Sequence, residues 1–299
     1  MHAVSKERQA LSKYHERLLT ISPELEIETV EVNVEGLVND VIIVNGEWVF
    51  RFAKDDWAIG ALERELQILN LVRPHLSLSI PQPFYTARDA IAYRRVPGET
   101  LTRETLASLS KRSQRNIAVQ LGEFLRELNE VPLVEGLPAT SAPVHYQDWI
   151  EIRRKVERKV YPLLMKHQIQ WAERLFDGIL DDPTNFDYLP ALIHGDLGCY
   201  HILYVPQSGQ LGGVIDFGVA GVGDPANDLA VLIQYYGESF VRQVVKAYPQ
   251  ASEYLGRARF YAQGLELEWA LNGLESGEQF WFTAHLGGAR DIHGETDQR

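Results

Sequence analysis

Over the first ninety residues, apolar and polar positions mostly alternate with a period of two. ELEIETVEVNV alternates and then meets Gly36, while DVIIVNG turns at Asn45-Gly46 into EWVFRFA. Asn-Gly between two alternating runs predicts a hairpin, because both residues accept the positive φ of a type I′ turn. The period then lengthens. In WAIGALERELQILNLV, Leu62, Leu66, Leu69 and Val72 fall at helical spacing. PQPFYTARDAIAYRRVPGETL returns to strand and breaks at Pro97-Gly98.

Beyond residue 101 the pattern is mainly helical. Ile117, Leu121, Phe124, Leu125 and Leu128 form one stripe, and DWIEIRRKVERKVYPLL and QIQWAERLFDGIL continue the pattern. Two short apolar strands, PALI and HILYV, flank the start of HGDLGCYH; QSGQLGG reads as a turn and VIDFG as a third strand. Asp224-Pro225 has the form of an N-cap with proline at the first helical position, and Gly237 of a helix stop. The fold class is therefore α+β. A small β-rich lobe is expected at 1–93, a linker at 94–100 and a larger α-rich lobe at 101–299.

A chain of 299 residues with 45% apolar and 23% charged positions can bury a substantial core. Its net charge of −12 argues against a nucleic-acid partner and suits a small-molecule enzyme, with a cationic substrate as one option. The single cysteine, Cys199, excludes an internal disulfide and fits a reducing cytoplasm. No run of 18 apolar residues predicts a membrane span, and the amphipathic start MHAVSKERQALSKYHERLL is not a signal peptide. A cytoplasmic protein is expected, with a monomer favoured.

Two carboxylates carry the chemistry. Asp196 and Asp216 each follow a short apolar strand, twenty residues apart, and the strand and turn between them bring the second back toward the first. Phosphoryl transfer needs such a division of labour: one aspartate takes the proton of the attacking hydroxyl, another holds Mg²⁺ against the phosphates. His201, five residues after the first aspartate, offers an imidazole nitrogen as a further metal contact. A zinc site of His194, Asp196, Cys199 and His201 would be cramped within eight residues and would leave VIDFG unexplained. Cys199 lacks an activating base and reads as a small filler.

HGDLGCYH resembles the catalytic loop of aminoglycoside phosphotransferases, members of the protein-kinase-like superfamily. IDFGVAGVGDPANDLA resembles their metal-binding segment and the helix after it, and the resemblance spans about residues 30–240. It implies a bilobal kinase-like fold and transfer of the γ-phosphate of ATP or GTP to a hydroxyl of a small molecule. It also implies that Asp196 is the catalytic base, that Asp216 chelates Mg²⁺, and that His194 supports the loop. The third position, usually asparagine in kinases, is His201, as in some aminoglycoside 2″-phosphotransferases and macrolide phosphotransferases.

A kinase-like fold also needs a cation on its third strand and a carboxylate on the next helix. In EWVFRFAK, alternation puts Trp48, Phe50 and Phe52 on one face and Val49, Arg51 and Ala53 on the other. Arg51 then points where the family's usual lysine does, and Lys54 does not. Glu63 and Glu65 compete as its partner; Glu65 shares the buried stripe of Leu62, Leu69 and Val72 and is the expected one. The phosphate loop has one glycine, Gly36. The resemblance puts the purine-binding hinge at Arg94 and Val96, with Tyr93 as a bulky gatekeeper, and in the 2″-phosphotransferase branch such crowding accompanies GTP use.

On the acceptor side, Glu266, Glu268, Glu275 and Glu278 lie among Trp269, Phe280, Trp281 and Phe282, with no lysine or arginine between Tyr261 and Ala289. Glu266, Glu268, Trp269, Glu278 and Trp281 are the candidate contacts. Carboxylates and flat rings suit a polycationic sugar. A solvated helix face over core aromatics gives the same pattern, and a macrolide would need a more apolar groove. A nucleotide-binding pseudokinase module is the competing reading, motivated by the single loop glycine, Arg51 and His201. Retention of both aspartates weighs against it.

Overall fold

The computed structural model describes residues 13–33 and 38–277. Helix α1 (residues 13–21) precedes strands β1 (Val30–Asn33), β2 (Asn39–Val44) and β3 (Trp48–Ala53), helix α2 (Asp56–Val72), and strands β4 (Pro83–Ala87) and β5 (Ala90–Arg94). The strands form one antiparallel sheet in the order β1-β2-β3-β5-β4. The predicted hairpin joins β2 to β3, with φ of 53° at Asn45 and 66° at Gly46.

The strand expected from residue 24 is laddered only from Val30. Upstream of it, the Asn45 side chain takes over the pairing. Its Oδ1 accepts from the backbone of Glu28 and Thr29 at 2.9 and 3.0 Å, and its Nδ2 donates to the Glu26 carbonyl at 2.7 Å. A turn asparagine thus satisfies backbone groups that alternation alone assigns to a ladder.

The period-2 faces of β3 go to different helices. Phe50 and Phe52 pack with Ile42 and Val44 beneath α1, where the Tyr14 ring stacks on Phe52 at 4.1 Å and its hydroxyl donates to Asp40 at 2.8 Å. Val49 packs with Leu62 of α2, Ile91 and Tyr93 on the other face. Burying each such apolar side chain contributes roughly 1.5–3 kcal/mol. Asp55 caps α2, its side chain accepting from the Ala58 N–H.

The chain then becomes helical: α3 (Arg103–Ser108), α4 (Lys111–Asn129), α5 (Tyr146–Lys159), α6 (Lys166–Leu180), α7 (Ala226–Tyr236), α8 (Glu238–Ala247) and α9 (Leu255–Ser276). Ser110 caps α4, and its whole predicted stripe is buried. α9 packs on α5 and α7. There the fully buried Trp149 ring lies flat against Tyr261 and directly over Gly264, where any side chain would collide with it. Among the described residues, no helix is long and apolar enough to cross a membrane.

Five short strands carry the motif segments. β6 (Glu99–Thr100), β8 (Ile202–Val205) and β9 (Gln210–Val214) form one sheet, and β7 (Ala191–Ile193) pairs with β10 (Gly221–Gly223). The third strand expected at VIDFG lies earlier, over Gln210–Val214, and the turn expected at QSGQLGG shrinks accordingly. Asp216 cannot continue that strand because its φ is +66°. The Pro97-Gly98 break rests directly on this hairpin. A Cβ at Gly98 would meet the Tyr204 carbonyl oxygen at 2.7 Å, and one at Gly212 or Gly213 would run into the carbonyls of Pro97 or Ser79.

Candidate active site

Asp196 lies in the loop between β7 and β8, and Asp216 in the loop between β9 and β10. Because β7 pairs with β10 and β8 with β9, both loops are fastened at both ends to the same two small sheets.

Two buried histidine contacts join them. The fully buried His194 donates from Nε2 to the Ile215 carbonyl at 3.0 Å, while its Nδ1 accepts from the Asp196 N–H at 3.3 Å. Burial pushes its imidazole down to about 3, so the ring is neutral and serves as a strut. His201 donates from Nδ1 to the Asp196 carbonyl at 2.7 Å, and its own carbonyl accepts from the Ile215 N–H at 2.9 Å. Its Nε2 therefore carries a lone pair, 3.8 Å from Oδ2 of Asp216.

This donor pair fits a hard cation. Asp216 Oδ2 and His201 Nε2 are the atoms that would hold such a cation, with water and phosphate oxygens completing its shell. Among the described residues, no three His, Cys, Asp or Glu side chains converge into a ready-made cage.

The carboxylates are tuned apart. Burial works against ionisation of Asp216, but Arg51 and then the two histidines outweigh it and hold the group down at about 2. Asp196 is shifted the other way: burial raises it, the Asp216 charge adds to the rise, and His201 offsets part. A raised carboxyl is the stronger base.

From the sheet side, Arg51 Nη1 donates to Glu65 Oε1 at 2.7 Å and Nη2 to Asp216 Oδ1 at 3.4 Å. Glu65 is fully buried whereas Glu63 is exposed, and Lys54 turns to Asp40 at 3.5 Å. Burial opposes both charges of the Arg51–Glu65 pair, and their mutual attraction offsets it. Tyr93 is buried on the same face of the sheet, its hydroxyl pushed up to about 12 by burial. Val96 is buried, while the Arg94 side chain points out to Glu47 and over Trp48.

On the other side of Asp196 opens a cleft, walled by α7 and α9, whose lining includes Glu268, Trp269 and Tyr235. Burial pushes the Glu268 carboxyl up to about 7, with the Asp148 charge adding and Asn272 opposing through a hydrogen bond. Glu266 is on the same helix but does not line this cleft. Gly36, Glu278 and Trp281 lie outside the described residues.

Two neighbouring carboxylates, one beside an arginine and the other lining a cleft, make an arrangement suited to phosphoryl transfer. Residues 29–262 match the sequence profile of the phosphotransferase enzyme family. The chain belongs to the phosphotransferase enzyme family.

Individual relatives agree. The chain is 27% identical over 220 residues to viomycin phosphotransferase of Streptomyces vinaceus, covering 68% of this chain and 73% of that protein. The GDP complex of wild-type aminoglycoside 2′-phosphotransferase-IIIa superposes with a TM-score of 0.82 at 31% identity, covering 91% of this chain and 95% of that one. A structure titled macrolide 2′-phosphotransferase type I shares the fold at a TM-score of 0.72 and 20% identity, over 92% and 97% of the two chains. The protein is thus a kinase-like phosphotransferase acting on a hydroxyl of a small molecule.

The roles of two residues important to this phosphotransferase site escape sequence reading. Asp228, fully buried at the start of α7, accepts the N–H groups of His194 and Gly195 at 2.9 and 2.8 Å. It clamps the base of the Asp196 loop, and burial pushes it up to about 6. Asp224 does more than begin a helix. It takes a two-pronged contact from Arg257 at 2.6 and 3.1 Å and the Tyr261 hydroxyl at 3.0 Å, tying α9 to the segment after Asp216. The signal was GDPANDLA, whose acidic pair brackets a helix start too apolar to be solvent-facing.

Proposed function

We propose that this phosphotransferase moves the γ-phosphate of ATP or GTP to a hydroxyl of a polycationic, aminoglycoside-like molecule. One observation carries the acceptor class: Asp196, Glu268 and Trp269 line a single cleft. An ammonium group on Glu268 and a sugar face on Trp269 set a hydroxyl against the base.

Asp196 accepts the hydroxyl proton as the nucleophile attacks. Arg51, locked by Glu65, presents its remaining donors to phosphate oxygens. Asp216 and Nε2 of His201 hold Mg²⁺, which when bound neutralises charge on the phosphates. The backbone around Arg94 and Val96 receives the purine, and Tyr93 at the deep end of that pocket favours GTP. Kanamycin and GDP occupy one relative together, in a structure covering 91% of this chain, which supports the same pairing here.

The test is nucleotide consumption with ATP and with GTP across kanamycin-type aminoglycosides, viomycin, a macrolide and simple amino alcohols. Turnover with a cationic aminoglycoside is expected. Turnover with the macrolide alone, or nucleotide binding without turnover on any acceptor, overturns the reading.

A further inference from the structure

Asp216 is a non-glycine residue in the left-handed region, a conformation that persists only when surrounding contacts impose it. Two of those contacts lie within the motif segments: the Ile215 carbonyl is held by His194 and the Ile215 N–H by the His201 carbonyl. Others come from outside them: Thr140 Oγ1 donates to the Val219 carbonyl at 2.8 Å, and Arg51 reaches the Asp216 carboxylate. Arg64 of α2 donates from Nη1 to the Gly218 carbonyl at 3.1 Å.

Both backbone groups of Gly218 are therefore held, its carbonyl by Arg64 and its N–H by Oδ1 of Asp216 at 3.4 Å. Oδ1 is also the atom that Arg51 reaches. The helix lies close here: a Cβ on Gly218 would come within 3.9 Å of Ala61 Cβ and 3.3 Å of Asp216 Oδ1. α2 thus meets the Asp216 loop twice, through Glu65 and Arg51 to the carboxylate and through Arg64 to the backbone that orients it.

We infer that Arg64 is a positioning residue which, by holding the Gly218 peptide, fixes the Asp216 carboxylate in the rotamer that binds Mg²⁺. The inference rests on the metal role of Asp216 and His201 proposed above. Without Arg64, Gly218 is free to rotate about its φ and ψ and turn its N–H away from Oδ1, and Asp216 must be reordered each time a cation binds. Nucleotide contacts that need no metal are untouched.

The experiment is a titration of Mg²⁺ against binding of a fluorescent GTP or ATP analogue, with no acceptor present. The variants are Arg64→Met, which keeps the stem but removes charge and donors, and Arg64→Lys, which keeps one charged donor. Arg64→Met should need about tenfold more Mg²⁺ for half-saturation, as expected for a lost charge-assisted hydrogen bond, with metal-free affinity unchanged. Arg64→Lys should recover most of the difference. If the methionine variant does not fold, Arg64→Gln carries the same comparison. Equal Mg²⁺ requirements in wild type and variant overturn the inference, as does a parallel loss of metal-free binding. A wild type with no Mg²⁺ dependence overturns the metal reading, and this inference with it.

Discussion

The two sides of Asp196 are built on opposite principles. Toward the sheet, the charges are held by donors already in place: Glu65 and Asp216 share Arg51, and at the base of the loop Asp228 takes two backbone N–H groups. Toward α9, Glu268 is flanked by another carboxylate, Asp148, and only the Asn272 amide opposes the resulting rise. The first side is preorganised, so its dipoles need not reorient during reaction. The second side holds unbalanced negative charge that a cationic ligand would neutralise. In the proposed function, the first side would set the rate and the second which molecule reacts.

The sharpest way to break this contrast is a split between turnover and affinity. Asp196→Asn should lower kcat by roughly 10²–10⁴, the usual range for a lost general base, while nucleotide affinity stays near wild type. Near-normal turnover in steady-state assays would remove Asp196 from the chemistry. Next in size is His201→Leu, which should raise the Mg²⁺ needed for half-maximal nucleotide binding by at least about tenfold. His201→Asn supplies an amide oxygen in its place and should stay active. A leucine variant indistinguishable from wild type would leave His201 as a loop residue only.

Smaller effects belong to the cleft. Glu268 is charged above about pH 7 and neutral below it, so KM for a cationic acceptor should rise as pH falls from 8 to 6, by up to about tenfold. Glu268→Gln should have a high, pH-independent KM and a nearly unchanged kcat. Stability should run the other way. The folded carboxyl binds its proton more tightly than the unfolded chain does, so wild type gains stability as pH falls through 7 toward the unfolded value. The glutamine variant should then melt about 1–3 °C higher at pH 8. If calorimetry finds it less stable there, the carboxylate has a cationic partner in the free enzyme. Smallest is Tyr93→Met, which should shift the ATP/GTP ratio of kcat/KM toward ATP by a few-fold, equivalent to about 1 kcal/mol or less.

Much of the architecture was legible because it depends on local rules. Asn45-Gly46 specifies its turn, the α4 stripe its buried face, and period-2 alternation puts Arg51 opposite Phe50 and Phe52, on the side that α2 covers. Glu65 follows from the same helical geometry that buries Leu62 and Leu69. What was not legible depends on long-range partners. No rule of spacing announces that Asp216 leaves the strand with φ of +66°, since that strain is imposed by residues from other elements, Arg51 among them. Asp228 and Asp224 read as helix-start acids because their actual partners, His194 and Arg257, stand 34 and 33 residues away. Glu266 and Glu268 are equivalent by composition, and only the packing of α9 on α7 separates them.

The backbone-to-backbone packing of Pro97-Gly98 on the β8–β9 hairpin bears on how such a protein can evolve. Gly98, Gly212 and Gly213 face main-chain atoms where even a methyl group does not fit, so random variation has no acceptable step there. Gly178 and Gly256, on the helices, face open space with ordinary backbone angles. Diversity generated across this gene would therefore be sieved by position: the seam between sheet and hairpin stays monotonous in every surviving lineage, while the outer helices drift. Deep mutational libraries should show a narrow band of intolerance running across residues 96–98 and 212–213. New acceptor specificities would then arise on α9 and its surroundings, leaving that seam unchanged.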